Sequence, residues 1–316
     1  MRIGVDAMGG DFAPEAVVRG SILACKQLKA DERIVLFGDK AKIEELINSL
    51  EGGSVNCFDI EPCSEVIAMG DNPSKSFSKK TDSSIVRGFS ALAAGAIDGF
   101  ASAGSTGAMM VGAMLVVKQI PGVIRPAIAG FIPVSDNSVN LLLDVGLNPD
   151  CRPDVLYQYG ILGSIYSKQV LGVENPRIAL LNVGEEDEKG NLVTKSAFEQ
   201  MKDSADFNFV GNIEGHNLFD ADKADVVVCD GFVGNIVLKE AEAFYHLLKK
   251  LSPNSSFTER FNSENYGGTP VLGINKPVVI AHGASSPKAI MNMILQTREV
   301  ISSNLCEKIK QAFNKW

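Results

Sequence analysis

The chain of 316 residues is notable first for what it does not contain. No apolar run approaches the roughly 20 residues that cross a bilayer; Met109–Val117 is among the longest. The opening MRIGVDAMGG has an acid at Asp6 and glycines where a secretion signal would carry its apolar core, so a cytoplasmic protein is expected. No Gly-Lys dipeptide occurs, which excludes a Walker-type loop, and G-x-G-x-x-G is absent as well. No G-x-S-x-G elbow suggests a serine hydrolase. The three histidines, His216, His246 and His282, form no metal-ligand spacing, so no metal is expected. Six cysteines lie scattered without a C-x-x-C and read as buried thiols rather than disulfides or zinc ligands. Basic excess is missing too: Lys+Arg 30 against Asp+Glu 38 gives −8, which argues against nucleic acid as a partner.

What is present is a regular alternation. A hydrophobic fraction of 45% supports a sizeable core. Short β-branched runs at Arg2–Asp6, Ile34–Phe37, Val55–Ile60, Ile97–Ser102, Arg177–Val183, Phe207–Ile213, Asp225–Cys229 and Val278–Ala281 alternate with helical patterns. These helices are expected at Pro14–Lys29, Lys40–Leu50 (stopped by Gly52-Gly53), Ser83–Ala94, Ala108–Gln119, Pro153–Leu171, Leu192–Lys202, Asn235–Leu251 and Pro287–Lys310. Near-continuous apolar strands between helices signal an α/β fold with a mostly parallel sheet covered on both faces. Ala127–Val134 and Val139–Val145 are separated by only Ser135–Ser138, too short for a parallel crossover, and read as a hairpin. Ser252–Gly268 reads as a polar linker.

Five predicted strands end in small-residue turns: Asp6–Asp11, Gly104–Gly107, Asn182–Glu186, Asp230–Asn235 and His282–Ser286. In a parallel sheet such turns share one edge, and together they would line one cleft. Gly104-Ser105-Thr106-Gly107 precedes a helix, the usual way to hold an anion on backbone N–H groups. Without nucleotide motifs, inorganic phosphate suits it better than a nucleotide. Each turn taken singly is also explained as an ordinary strand-to-helix connection. Asn235 reads either as an N-cap or as an amide donor to the anion. Lys189, after the acidic run Glu185–Glu188, reads either as part of a solvated face or as a cation aimed into the cleft, kept charged by its neighbours. His282 reads as a strand-end cap or a substrate contact. Cys229 reads as a buried strand residue rather than a nucleophile. Lys75, Lys79, Lys80 and Arg87 form the clearest basic cluster, either plain surface or a dock for an acidic protein.

Long motifs in order, VDAMGGDFAPE, SEVIAMGDNPSKSFSKKTDSS, SAGSTGA, LLLDVGLNPDCRP, ENPRIALLNVGEEDEKGN, FVGNIEG, ADVVVCDGFVGNIVLK, YGGTPVLGIN and IAHGASSPKA, closely resemble the bacterial phosphate acyltransferases, the acyl-[acyl carrier protein]:phosphate transacylases. The likeness runs from Met1 to about Arg298. Three departures stand out. Ser105 replaces the asparagine of the usual SAGNTGA, SKSFSKK replaces a Val-Glu-Ala-rich helix, and HGASSPKA replaces HGSSNAKA, putting Pro287 where a helix starts.

The resemblance implies a three-layer α/β/α sandwich related to phosphate acetyltransferases and isocitrate/isopropylmalate dehydrogenases. It implies one α/β unit over 1–316 with a helical excursion at about 239–268, a homodimer, and no cofactor. The implied reaction transfers a long-chain acyl group from acyl carrier protein to phosphate. Its acyl phosphate then feeds a membrane-bound glycerol-3-phosphate acyltransferase in phospholipid synthesis. Lys189 and Asn235 are the implied catalytic residues; Asp6, Gly9, Gly10, Gly104, Ser105, Thr106, Gly107, Asp230, Gly231 and His282 are candidates for substrate binding; and Lys75, Lys79, Lys80 and Arg87 for carrier docking. In the excursion, Phe244, Leu247, Leu248 and Leu251 make an apolar stripe beside Lys249-Lys250. That stripe reads first as a core or dimer helix and second as a surface for weak association with anionic membrane at its inner face. Three other readings compete: a short-chain acyltransferase working on acyl-CoA; a nicotinamide-dependent dehydrogenase of related fold, for which the sequence offers no dinucleotide fingerprint and no obvious metal-binding aspartate set; and a non-catalytic scaffold for lipid synthesis.

Overall fold

A computed structural model describes residues 1–50, 58–134, 138–252 and 255–316. In chain order the strands are β1 (Arg2–Asp6), β2 (Arg33–Gly38), β3 (Phe58–Pro62), β4 (Gly99–Ser102), β5 (Ala127–Pro133), β6 (Val139–Leu143), β7 (Arg177–Leu181), β8 (Asn208–Ile213), β9 (Val226–Val228), β10 (Thr269–Leu272) and β11 (Val278–Ile280). The helices are α1 (Glu15–Cys25), α2 (Lys40–Ser49), α3 (Pro73–Lys79), α4 (Ser84–Ala93), α5 (Thr106–Gly112), α6 (Pro153–Gln169), α7 (Leu192–Met201), α8 (Gly231–Leu251), α9 (Ser256–Glu259), α10 (Pro287–Ser302) and α11 (Leu305–Phe313). Gly52, Gly53 and the start of the third expected strand lie outside the described residues, as do Ser135, Asp136 and Asn137 of the expected hairpin turn.

The chain forms two compact units. The first comprises Met1–Gln119, Ser263–Pro270 and Ile274–Ser302. Its sheet runs β3-β2-β1-β4-β11, all parallel, with Thr269 and Pro270 of β10 added antiparallel to β11. Strand alternation separates two apolar faces. Ile3, Val5 and Ala101 turn to a cluster with Val17, Ile22, Ile290 and Ile294 of α1 and α10. On the other side Phe37, Phe100 and Phe89 stack edge to face. Gly4 is a glycine because a β-carbon there would sit 2.3 Å from Ile97 Cδ1. Helices thus cover both faces of this sheet.

The second unit comprises Ile120–Asn262, Val271–Gly273 and Ser303–Trp316. The hairpin is real: β5 and β6 pair antiparallel, Ala129 opposite Leu143. From β6 the sheet continues β9-β7-β8, all parallel, while Val271 and Leu272 of β10 pair antiparallel with β5. Helix α6 packs on β6, β7 and β9. Among the described residues no helix is long and apolar enough to cross a membrane.

Four local expectations are corrected. The expected helix Asn235–Leu251 begins at Gly231, because Asp230 caps it by accepting from Val233 N at 2.8 Å; Asn235 is therefore not an N-cap. The single C-terminal helix is two, broken where Asn304 takes a left-handed backbone (φ 52°). The linker-like stretch Ser252–Gly268 carries the short helix α9 and a 3-10 turn at Ser263–Asn265, so it is not uniformly irregular. Cys25 is disulfide-bonded, against the expectation of free thiols; spacing along the chain does not report proximity in the fold. Cys63, Cys151 and Cys229 are free and buried as expected.

Candidate active site

In the first unit, parallel pairing of β1, β4 and β11 puts their following turns on one edge. Asp6 ends β1 and is 1% exposed. Its Oδ2 accepts from Ser102 Oγ at 2.7 Å and its Oδ1 from Met8 N at 3.1 Å. Burial pushes the Asp6 pKa up, against hydrogen bonds from Ser102, Ser84, Met8 and Gly9 that favour the charged form. Ser102 Oγ in turn accepts from Gly104 N at 2.8 Å. Gly9 leaves no room for a side chain: a β-carbon would stand 2.3 Å from Asp6 Oδ2 and 2.7 Å from Gly104 N. Asp11 N donates to Gly283 O at 2.8 Å, tying the β1 turn to the β11 turn.

The remaining candidates of this unit divide by role. Ser105 caps α5, its buried Oγ accepting from Ala108 N at 3.3 Å, work a serine does as well as an asparagine. Thr106 is exposed in the first turn of α5. Gly107 admits Pro73, whose Cγ would lie 2.5 Å from a β-carbon there. His282 is exposed, and its Nδ1 accepts from Ala284 N at 3.2 Å. A neutral ring so bonded carries its proton on Nε2, which makes Nε2–H an available donor. The structure therefore brings Asp6, Gly9, Gly10, Gly104 and His282 to one set of adjoining turns.

The basic cluster is partly spent within its own unit. Lys80 Nζ sits 2.7 Å from Asp71 Oδ2, and Arg87 pairs with Asp82 at 3.0 Å. Lys75 and Lys79 stand exposed on α3.

In the second unit, β6, β9 and β7 run parallel, so Asp144, Asp230 and the Lys189 turn follow strand ends on one edge. Lys189 is half exposed, and its Nζ is 3.9 Å from Glu186 Oε1. Glu185 of the acidic run pairs instead with Lys223 at 3.0 Å. Two amides hold the turn. Asn182 Nδ2 donates to Lys189 O at 3.1 Å, and Asn212 Nδ2 donates to Glu186 O at 2.9 Å. Asn235 Nδ2 donates to Val145 O at 3.1 Å, one turn into α8. Gly231 lies against Asp144 Oδ2 (2.8 Å from a β-carbon) and its N donates to Asn148 O at 2.8 Å. Burial pushes the Cys229 thiol well above its ordinary value, with the Asp230 and Asp144 charges adding to the effect.

In the first unit, turns that bring backbone N–H groups together at strand ends are equipment for binding an anion. The family model described as "Fatty acid synthesis protein" matches residues 1–308. Phosphate acyltransferases from Caldanaerobacter subterraneus and Halothermothrix orenii are each 40% identical, the first over 98% of this chain and 97% of its own, the second over 100% and 99%.

The chain belongs to the phosphate acyltransferase family.

It is accordingly an acyltransferase. Among solved structures it is similar in fold to a branched-chain phosphotransacylase from Enterococcus faecalis (TM-score 0.65, 15% identity, 95% and 99% of the two chains). It is likewise similar to the EutD phosphotransacetylase from Staphylococcus aureus (TM-score 0.64, 17%, 95% and 94%). A 4-hydroxythreonine-4-phosphate dehydrogenase from Klebsiella pneumoniae shares the α/β fold (TM-score 0.59, 13%, 95% and 99%).

Two residues that tie the strand-end turns together escape a reading of the sequence, Ser102 and Asp144. Both are buried polar groups at strand ends. The available signal is only that a carboxylate or hydroxyl closing an apolar strand must find partners.

Proposed function

We propose that the chain transfers a long-chain fatty acyl group from acyl-[acyl carrier protein] to inorganic phosphate. A phosphate oxygen attacks the thioester carbonyl carbon, the carbonyl oxygen becomes an oxyanion, and the C–S bond breaks. The products are acyl phosphate and the carrier's thiol, which takes up a proton. The thioester is already activated and phosphate is already an anionic nucleophile, so no acyl-enzyme is needed. The catalytic demand is orientation and charge stabilisation. Lys189 and Asn235 are assigned to the transfer step; the turns carrying Gly9, Gly10, Gly104–Gly107, Asp230, Gly231 and His282 to substrate. The residues need no metal or organic cofactor for this chemistry.

The observation that carries this reading is the 40% identity over nearly the whole of both chains to relatives named phosphate acyltransferase. The buried thiol of Cys229 supports direct attack by phosphate. The partners in this reading are acyl carrier protein, docked at exposed Lys75 and Lys79, and a second copy of the chain, docked on the outer face of α8. The acyl phosphate is then consumed by a membrane-bound glycerol-3-phosphate acyltransferase. The α8 face also suits peripheral contact with an anionic membrane: Phe244, Leu247, Leu248 and Leu251 are all exposed there, although Lys249 is paired with Glu259.

The test is incubation with palmitoyl-[acyl carrier protein] and phosphate, with hydroxylamine trapping, repeated with acetyl-CoA. Phosphate-dependent hydroxamate from the carrier thioester is expected. Product from acetyl-CoA alone would favour the short-chain reading, for which the fold likeness to the two phosphotransacylases speaks. No product from either would leave a scaffold.

A further inference from the structure

Asp144 is a heavily bonded carboxylate of the second unit, and nothing in the transfer chemistry above uses it. It is fully buried at the end of β6. Oδ1 accepts from Ile128 N at 3.0 Å. Oδ2 accepts from Asn148 N at 2.6 Å, from Asn148 Nδ2 at 3.1 Å and from Leu147 N at 3.1 Å. Among the described residues it has no lysine, arginine or histidine within ion-pair distance, and its bonds come from N–H groups. A buried carboxylate satisfied in this way fixes the backbone around it, because every donor would be orphaned by its movement.

The backbone so fixed is what α8 rests on. Gly234 lies so close to Asp144 that a β-carbon would fall 1.9 Å from its carbonyl oxygen. Gly231 N donates to Asn148 O. The next residue, Val145, presents its carbonyl to Asn235 Nδ2, and Gly146 (φ 140°) passes so near that a β-carbon there would be 3.0 Å from that nitrogen. A side-chain amide with one N–H committed to a fixed carbonyl has its second N–H and its oxygen set in direction.

We propose that Asp144 is the positioning residue for Asn235, holding the Val145 carbonyl that orients the Asn235 amide for the transfer step. The proposal rests on the assignment of Asn235 given above. Asp144 touches no reacting atom; it acts through one hydrogen bond made by its neighbour in the chain.

A double-mutant cycle tests it. kcat for phosphate-dependent acyl transfer is measured for wild type, Asp144→Asn, Asn235→Ala and the double variant, at a temperature where circular dichroism shows all four folded. Asn235→Ala is expected to lose about 100-fold in kcat, the scale of one oxyanion donor, and Asp144→Asn about 10-fold or more. The double variant is expected to be no worse than Asn235→Ala alone, because the two act on one interaction. Multiplied losses, or full activity in Asp144→Asn, overturn the proposal. If Asp144→Asn does not fold, Asn148→Ala replaces it. That variant removes one donor and keeps the carboxylate, and its loss is likewise expected to vanish in the Asn235→Ala background; multiplied losses there overturn the proposal. An Asn235→Ala enzyme with full activity overturns this inference and leaves the transferase reading standing. A wild type that forms no acyl phosphate overturns that reading instead. The positioning claim is then read from the Asn235 side-chain amide resonance, which is expected to shift in Asn148→Ala; an unmoved resonance overturns it.

Discussion

Ser102 stands between Asp6 and Gly104, donating its hydroxyl to the one at 2.7 Å and accepting the backbone N–H of the other at 2.8 Å. One oxygen thus couples the turn after β1 to the turn after β4. Ser102→Ala would leave a buried N–H and a buried carboxylate each short of a partner. The expected cost is about 2–3 kcal/mol, read as a lower urea midpoint at unchanged m-value. Because Gly104 opens the turn assigned to phosphate, KM for phosphate should rise more than kcat falls. A variant with wild-type stability and KM would remove Ser102 from this role.

The same carboxylate makes stability depend on pH. In the unfolded chain Asp6 titrates at its ordinary value of 3.8, whereas burial raises the folded value. The folded state therefore keeps a proton that the unfolded state has lost. Stability from this group is full below the unfolded value and is lost as pH rises through the folded one. Asp6→Asn cannot ionise. The stability of wild type relative to Asp6→Asn should fall as pH is raised from 4 and level off once Asp6 is ionised in the fold. Urea midpoints of both proteins across pH 4 to 8 check the slope; a constant offset would mean that the two states of Asp6 do not differ in pKa.

Lys189 presents the opposite case, a residue whose loss the fold should ignore. It is half exposed and its ion pair with Glu186 is long, 3.9 Å. Lys189→Ala should change stability by no more than about 0.5 kcal/mol. Activity should drop about 100-fold or more if the ammonium faces developing charge. Parallel thermal melts and initial rates separate the two effects. An intact rate would take Lys189 out of the chemistry.

The cysteines should be silent. Burial pushes Cys63 up to about 12 and Cys151 up to about 11, and Cys229 well above its ordinary 9.0. None is a thiolate at pH 8. Native protein treated with iodoacetamide at pH 8 should show no alkylation of these three by peptide mass mapping, and full alkylation in denaturant. Cys229→Ala should keep its kcat; an enzyme working through a Cys229 thioester would lose it entirely.

The strands were legible because period and composition are local. MRIGVD, RIALL and ADVVVC announce buried parallel strands, and the short gap between Val134 and Val139 announces the hairpin. Where the sequence misleads, a distant partner decides. Strand β10 contains Pro270, which discourages a strand, yet it pairs with β11. Helix α3 is not among the helices the pattern announces, because only Phe77 of it is buried. Gly231 and Gly234 weigh against a helix start in isolation; the oxygens of Asp144 require both. The site follows the same division. Small-residue turns were visible, while Ser102 and Asp144 are recognisable only through bonds to residues far along the chain.

Helix α8 joins a tightly packed root to a largely uncovered shaft. Gly231 and Gly234 are its buried residues, and from Asn235 to Leu251 no side chain is more than partly covered. Substitutions from Ile236 outward are therefore expected to leave the first turn of the helix and the Asn235–Val145 bond undisturbed. The tight backbone contacts of the helix lie in its first turn, so selection on the outer turns acts through their surroundings. A chain built this way can diversify its outer turns to suit a new neighbour without renegotiating its chemistry.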